Sequence, residues 1–244
     1  MSESNLLTSG FAAAATLATL VAGAADITCD FSKGKWNPAD WREVCSVRWD
    51  YKNPFQQFDD HIMNRCPEGV SDEEVYKKHV SSVYSSMVYA KKLKTKAEIT
   101  CTMSFDHLMA PEIVIANDLF TDEKGRSVYH DHFEVVLFNE GFNVWRYQWK
   151  DGKTTWRKVA FLRMPFEPKT PYTVKVTLEK RKGTKELTVS CNGRTFGYAD
   201  DLLPETFYAG ICGCEGRCRF YDFKVKAGEA ELTDAQAAAA DGEH

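Results

Sequence analysis

The segment from Tyr129 to Trp156 alternates polar and apolar side chains in three short runs that are separated by tight turns. Alternation with a period of two is the pattern of β-strands, because successive side chains of a strand point to opposite faces. The Asp151-Gly152 pair between the second and third runs is a strong signal for a two-residue hairpin turn. The segment therefore predicts three consecutive antiparallel strands, which any fold of the chain has to accommodate.

The turn between the first two of these strands decides which side chains share a face. A three-residue connection at Asn139-Glu140-Gly141 would pair Phe138 with Phe142 and Glu134 with Arg146. We favour this register because it separates polar from apolar side chains. One face would then carry His130, His132, Glu134, Arg146, Gln148 and Arg157, and the opposite face Phe133, Val135, Leu137, Trp145, Tyr147, Trp149 and Trp156.

A two-residue loop at Glu140-Gly141 is the alternative, and it would reverse the parity of the second strand. Its aromatic side chains would then stand beside His132 and Glu134 as a platform flanked by an acid and a base. His130, His132 and Glu134 stay together in both registers, because they alternate along one strand.

Short alternating segments continue along the rest of the chain, with no βαβ pattern between them. Ser71 with Glu74 three residues later forms a capping box, which predicts one short helix running to about Ser81. At 244 residues and 43% hydrophobic content, the chain suits one large domain. We therefore predict an all-β jelly-roll sandwich of two antiparallel sheets with one short helix.

The two ends of the chain differ in composition from the middle. Residues 1–25 are an apolar extension that ends in the small-x-small motif Ala22-Gly23-Ala24 but contains no Lys or Arg, so they would be an atypical signal peptide. The apolar run is too short to span a bilayer. We expect a sandwich over residues 26–226, a mobile tail rich in Ala and acidic residues over 227–244, and a cytoplasmic location, with export as the alternative.

Charge and cysteine content narrow the classes of partner and site. A net charge of −4 argues against a nucleic-acid partner, which normally requires a basic surface. The spacing of Cys212, Cys214 and Cys218 lacks the second ligand cluster of common structural zinc sites. Buried thiols on two adjacent strands are therefore the expectation here, and zinc is the alternative.

The closing strands of the chain carry a resemblance to a known superfamily. The order TVKVTLEKRKGTKELTVSCNGR, then FYAGICGCEGRCRFYDFKV, resembles the final half of concanavalin A-like lectins and glucanases, with Gly210-Ile211 and Phe220, Asp222, Phe223 and Val225 in the last two strands. With DHFEVVLFNEGFNVWR as central strands, the resemblance covers residues 26–226. It implies a jelly roll whose concave sheet carries a glycan site, and hence a carbohydrate-binding or carbohydrate-processing protein.

Laminarinase-like hydrolases of that superfamily carry their carboxylates at alternating positions of one strand. Glu134 matches the first of these positions, but Val136 and Phe138 stand at the others. Glu134 and His132 remain the candidate acid and base of a polysaccharide lyase or glycoside hydrolase. A non-catalytic protein-interaction module is a third possibility.

Further side chains are candidates for contact with a glycan. They come from the central strands and from the polar loop at residues 53–64, and they are His130, Arg146, Gln148, Arg157, Gln57, Asp59, His61 and Trp145. For Trp145, Tyr147, Trp149 and Trp156 we expect a place in the core, with a stacking platform as the alternative. We expect no cofactor; the alternatives are a divalent metal at His130, His132 and Glu134, and calcium at Asp118, Asp122 and Glu123.

Overall fold

The computed structural model describes residues 24–45 and 53–229, which form seventeen strands and one α-helix. The helix, α1, spans Asp72–Lys78. The strands are β1 (Ala24–Asp30), β2 (Trp41–Glu43), β3 (Gln56–Gln57), β4 (Ile62–Met63), β5 (Ser85–Tyr89), β6 (Leu93–Phe105), β7 (Pro111–Ala116), β8 (Leu119–Thr121), β9 (Ser127–Tyr129), β10 (His132–Phe138), β11 (Gly141–Lys150), β12 (Lys153–Arg163), β13 (Tyr172–Arg181), β14 (Thr184–Cys191), β15 (Arg194–Ala199), β16 (Thr206–Gly213) and β17 (Cys218–Glu229).

Most of these strands belong to two antiparallel sheets. The first sheet has the order β12-β11-β10-β7-β16-β5-β2. The second has the order β15-β14-β13-β6-β17-β1, and the short β3-β4 hairpin pairs with the start of β17. A short pairing of β16 with β6 joins the two sheets, and β8 and β9 form a separate hairpin. The predicted jelly-roll sandwich is confirmed.

The main core fills the space between the two sheets. Phe133, Val135 and Leu137 of β10 pack into it from the first sheet, and Ile99 and Phe223 do so from the second. A smaller cluster, called the outer cluster here, covers the other face of the first sheet, and consists of Val44, Tyr84, Val88, Ala110, Val114, Ala116, Tyr129, Val136, Cys212 and Cys214. Every residue of β10 is consequently buried, on both faces.

The turn between β10 and β11 has two residues, so the favoured three-residue register is wrong. Phe138 pairs with Gly141, His132 with Tyr147 and Glu134 with Trp145. The strand parity is therefore that of the alternative register. The two turn residues are Asn139 and Glu140, however, rather than Glu140 and Gly141. Gly141 begins β11, and a Cβ there would lie 2.0 Å from the backbone oxygen of Leu162 in β12.

The reversed parity moves the aromatic side chains of β11 and β12 to the outer face of the first sheet, which is the face away from the main core. Trp149 is 37% exposed and Trp156 is 52% exposed, so their expected place in the core is wrong. The Asp151-Gly152 turn is confirmed, because Lys150 pairs with Lys153 across it. Both turn residues have the positive φ that this turn requires, 51° and 74°.

Helix α1 begins where the capping box predicts. The Ser71 hydroxyl accepts a hydrogen bond from the Glu74 amide at 3.2 Å. The helix ends at Lys78 rather than near Ser81, because the chain tightens into a 3₁₀ turn over Val80–Ser82. Within residues 24–45 and 53–229, no helix is long and apolar enough to cross a membrane.

The ends of the sandwich lie close to the predicted boundaries. β1 begins at Ala24 and β17 continues to Glu229, so strand structure extends slightly beyond the range 26–226 on both sides. The rest of the predicted extension and most of the predicted tail lie outside the described residues.

Candidate functional site

A pocket of about 130 Å³ opens on the outer face of the first sheet, where β7, β10 and β11 lie side by side. Acidic, amide and aromatic side chains converge on it. The lining residues are Met109, Ala110, Glu112, Glu134, Val136, Phe138, Asn143, Trp145, Tyr147 and Glu215. Ligand sites commonly combine an apolar or aromatic wall with a few convergent polar groups, and this pocket has that character.

Two of the carboxylates in the pocket are neighbours across a strand boundary. Glu134 pairs with Val114, and Glu112 pairs with Val136, so the two glutamates are diagonal neighbours on one face of the sheet. They are only 4% and 3% exposed. Glu112 is an addition to the residues expected from the sequence. Its one local signal is an ionisable residue within an otherwise apolar strand, EIVIA.

His132 links the backbone to Glu134. Its Nδ1 donates a hydrogen bond to the His130 carbonyl oxygen at 2.8 Å, because a carbonyl oxygen can only accept. Its Nε2 lies 3.4 Å from Oε1 of Glu134. The imidazole and the carboxylate are therefore close neighbours, and Glu134 is the member of the pair that lines the pocket.

A ladder of aromatic rings crosses the strands beside the pocket. The rings of Tyr129 and His132 are 4.7 Å apart, those of His132 and Tyr147 are 4.3 Å apart and nearly parallel, and those of Tyr147 and Trp156 are 6.3 Å apart. The ladder begins in the outer cluster and ends at the exposed indole of Trp156. It offers a flat apolar face next to the buried acids, and Trp145 adds a second ring at the pocket itself.

Asn143 contributes an acceptor to the pocket. It lies on β11 opposite Val136, which places its side chain on the outer face. Within the described part of the chain, its buried Oδ1 receives no hydrogen bond. Buried polar atoms are rarely left in this state, so a hydroxyl or amine of a ligand would satisfy it.

Arg146 does not face the pocket, in contrast to the expectation. It pairs with Phe133 in β10 and Arg157 in β12, on the face directed towards the second sheet. There its Nη1 donates to Oδ2 of Asp200 at 2.5 Å, with only 10% of each side chain exposed. Gln148 shares the strand parity of Arg146, so the structure separates these three predicted residues, Arg146, Gln148 and Arg157, from Glu134.

The Asp200 carboxylate also accepts a hydrogen bond from the hydroxyl of the half-buried Tyr198. Burial alone would raise the pKa of Asp200, but hydrogen bonds from the Tyr198 hydroxyl, the Leu202 amide and Arg146 outweigh it and hold the pKa below its ordinary value. Burial, together with the hydrogen bond to Asp200, raises the pKa of Tyr198 to about 12. The three side chains fasten β11 to the end of β15, which is a structural role.

The polar loop that was expected over the site belongs to the other sheet. β4 pairs with β17, so the β3-β4 hairpin extends the second sheet. Gln57 donates to the Ser32 carbonyl oxygen at 3.1 Å, and His61 stacks on Phe58 with ring centroids 5.0 Å apart. Asp59 is almost fully exposed. None of these side chains lines the pocket.

The structure also places the residues of the two predicted metal sites. His130 lies beside Asp131, Phe120 and Trp149, and its ring does not converge with His132 and Glu134. At the β8-β9 turn, Asp122 is bound by Arg126, whose hydrogen bonds lower the pKa of that carboxyl group. The Asp122 carboxylate is therefore engaged by a cationic side chain of its own hairpin.

The sequence matches no protein-family model and no curated protein. Solved structures share its fold. A carbohydrate-binding module, CBM66 from Bacillus subtilis, aligns with a TM-score of 0.52 at 8% identity over 77% of this chain and 96% of its own. The acidic lectin of winged bean aligns with a TM-score of 0.55 at 8% identity, over 86% of this chain and 100% of its own.

An enzyme is among the similar structures as well. The κ-carrageenase from Pseudoalteromonas carrageenovora aligns with a TM-score of 0.51 at 10% identity, covering 88% of this chain and 100% of the carrageenase. These alignments cover 77–88% of this chain and nearly the full length of each similar structure. The chain therefore has the concanavalin A-like jelly-roll fold that its closing strands resemble.

Proposed function

We propose that this protein binds carbohydrate in the pocket on the outer face of its first sheet. The observation that carries the proposal is the convergence of two buried carboxylates, Glu112 and Glu134, with the Asn143 acceptor and the rings of Trp145 and Tyr147. Sugars present hydroxyl donors around their edge and apolar C–H groups on their faces. A pocket of acceptors beside aromatic rings is complementary to both.

Proteins of the same fold support the same proposal. The winged bean lectin of the same fold was solved with methyl-α-D-galactose, and CBM66 is named as a carbohydrate-binding module. In this chain, buried Glu134 would accept charge-assisted hydrogen bonds from sugar hydroxyls. Hydrogen bonds to a charged group contribute about 1.5–3 kcal/mol each, more than neutral ones.

A glycan array probed with the intact chain, followed by calorimetry on the best glycan, tests the proposal. We expect Glu134→Gln to weaken binding by about 10- to 100-fold, because one charge-assisted interaction is lost. The matched control is Glu140→Gln, at the exposed β10-β11 turn, which should leave the affinity unchanged. A blank array would contradict glycan binding and favour the protein-interaction alternative. Equal affinity of the wild type and Glu134→Gln for the glycan would contradict the assignment of this pocket as its site.

A second candidate function is glycan cleavage, and the pair of Glu112 and Glu134 is the observation that favours it. Glycoside hydrolases use two carboxyl groups, about 5–5.5 Å apart in retaining enzymes and about 6.5–9.5 Å apart in inverting ones. Glu134, whose Oε1 lies 3.4 Å from Nε2 of His132, would protonate the glycosidic oxygen. Glu112 would then attack the anomeric carbon or activate water. κ-Carrageenase shows that the fold can carry such an activity.

Turnover separates the two functions. In an enzyme, Glu134→Gln should lower the rate of reducing-end release by about 10²- to 10⁴-fold, the usual contribution of a general acid, while binding persists. A lyase would instead produce an unsaturated uronate that absorbs in the ultraviolet. Binding without either product on any glycan bound in the array would identify a non-catalytic carbohydrate-binding protein.

A further inference from the structure

Behind one wall of the pocket, two thiols and a carboxylate meet inside the outer cluster. Cys212 is the direct cross-strand partner of Glu112 between β16 and β7. The thiol of Cys214 lies 3.2 Å from Oε1 of Glu112. The two sulfur atoms and the nearest carboxylate oxygen all lie within 4.8 Å of one another.

The local sequence places both thiols on one face. Residues 212 and 214 are two apart, and Cys214 extends the β-ladder by exchanging two backbone hydrogen bonds with Ala110. Between the two cysteines, Gly213 faces the other way against Asn64 and Cys218. A Cβ at Gly213 would be 3.1 Å from Cβ of Asn64 and 3.0 Å from that of Cys218. Gly213 thus allows the strand to pack closely while both neighbouring thiols point towards Glu112.

The donor set suits a thiophilic divalent cation. Zinc is bound by thiolates at about 2.3 Å and by carboxylate oxygens at about 2.0–2.2 Å, so tetrahedral ligands lie roughly 3.5–3.8 Å apart. The three donor atoms already approach this spacing without rearrangement of the backbone. Two sulfurs and one oxygen also select against magnesium and calcium, which prefer oxygen-only sites.

The cluster is shielded from water, and its carboxylate borders the pocket. Cys212 and Cys214 are fully buried, and Glu112 is 3% exposed. Burial raises the pKa of the Cys212 thiol, and its hydrogen bond with Cys214, together with burial, raises that of Cys214. Glu112 also lines the pocket, so the carboxylate of the cluster borders that opening and the two thiols lie behind it.

We propose that Cys212, Cys214 and Glu112 bind one zinc ion at the floor of the pocket. The ion would replace the thiol protons and connect β7 with β16 directly below the carbohydrate site. This inference does not depend on glycan binding. It does compete with cleavage chemistry for Glu112, because a carboxylate held by zinc cannot attack an anomeric carbon.

Cobalt(II) is the probe for the first experiment, because thiolate ligands give it a sulfur-to-metal charge-transfer band. We expect the reduced, intact chain to bind one equivalent of cobalt with this band and with the visible bands of tetrahedral coordination, and zinc to displace it. Cys212→Ser and Cys214→Ser should each weaken cobalt binding at least about tenfold. The control is Cys101→Ser, because Cys101 is equally buried but lies in the main core.

Either of two results would overturn the zinc site. One is a folded wild type without a charge-transfer band; the other is an undiminished band in both Cys212→Ser and Cys214→Ser. X-ray absorption of zinc-loaded wild type decides the matter without any variant that might fail to fold. Sulfur scatterers around zinc support the site, and nitrogen and oxygen scatterers alone contradict it. Cobalt binding combined with a blank glycan array would retain this site and reject carbohydrate binding.

Discussion

His132 and Tyr147 lie face to face across β10 and β11, with ring centroids 4.3 Å apart and planes 8° from parallel. The contact exists because the two residues are cross-strand partners on the outer face of the first sheet. It places an ionisable ring, whose Nε2 lies 3.4 Å from Oε1 of Glu134, against an aromatic ring that lines the pocket. Acid, base and aromatic surface therefore occupy one side of the sheet.

Trp156→Ala tests whether the aromatic ladder contributes to ligand binding. The indole is 52% exposed at the end of the ladder, so its loss should change stability little. We expect affinity for the bound glycan to fall by about 0.5–1.5 kcal/mol, the usual value of a stacking contact, or roughly two- to tenfold. The measurement is calorimetric titration of wild type and variant with that glycan.

The control for the loss of an exposed ring is Phe58→Ala. Phe58 is 40% exposed and stacks on His61, but it lies on the hairpin of the second sheet. Its removal should leave glycan affinity unchanged. Equal losses for Trp156→Ala and Phe58→Ala would show that the ladder is not part of the site.

Arg146→Met tests the face that the structure assigns to Arg146. Breaking a buried ion pair by removing one partner leaves the other charge buried, here that of Asp200. We expect a loss of about 3 kcal/mol in the free energy of unfolding, measured by urea denaturation, with unchanged glycan affinity in the remaining folded protein. Arg157→Met, at the exposed cross-strand neighbour, should cost no more than about 0.5 kcal/mol. Weakened glycan binding by a stable Arg146→Met variant would place the guanidinium in the ligand site after all.

Acid should weaken the contribution of Asp200 to the free energy of unfolding. Its pKa in the folded protein is held below the ordinary value of 3.8, so its stabilising effect is complete at pH values above 3.8. The effect is lost as the pH falls through the lower pKa of the folded state. We expect the difference in unfolding free energy between wild type and Asp200→Asn to stay nearly constant from about pH 6 to about pH 4 and to shrink as the pH falls further.

Comparing wild type with Asp200→Asn isolates the effect of this one carboxylate, because the exposed acidic side chains become protonated in the same way in both proteins. A stability difference that stays constant across the titration would mean that Asp200 has the same pKa in the folded and the unfolded protein. Denaturant unfolding at a series of pH values provides the curve.

Gly141→Ala tests the turn that sets the strand parity. Gly141 has φ of 148°, and a Cβ there would lie 2.0 Å from the Leu162 oxygen, a backbone atom that cannot rotate away. We expect a loss of at least about 2–3 kcal/mol in unfolding free energy. Gly152→Ala, at the other turn of β11, has positive φ but open space around it and should cost only about 1 kcal/mol. Similar midpoints in denaturant for both variants would contradict the close contact of β11 with β12.

Several parts of the fold follow from short stretches of sequence. Alternation along residues 129–156 and 172–226 predicts antiparallel strands, and the closing strands carry the resemblance to concanavalin A-like proteins. Asp151-Gly152 and the Ser71 cap are equally local, because each depends on the conformational preferences of two to four consecutive residues. These features agree with the structure.

The face on which Arg146 lies was not determined locally. Two- and three-residue turns both fit Asn139-Glu140-Gly141, and they differ in strand parity. The choice depends on the approach of Leu162 in the next strand to Gly141. Segregation of polar from apolar side chains favours the three-residue turn only if one face of β10 is exposed to solvent. The outer cluster buries that face.

The sequence by itself determined that this chain is a two-sheet antiparallel sandwich, since strand periodicity and turn residues act over a few neighbouring positions. Only the tertiary structure decided that Glu112 stands beside Glu134 and Cys212. These contacts depend on which strands become neighbours, β7 with β10 on one side and with β16 on the other. That pairing is selected by burial of both sheets against each other, a free energy that belongs to the whole molecule.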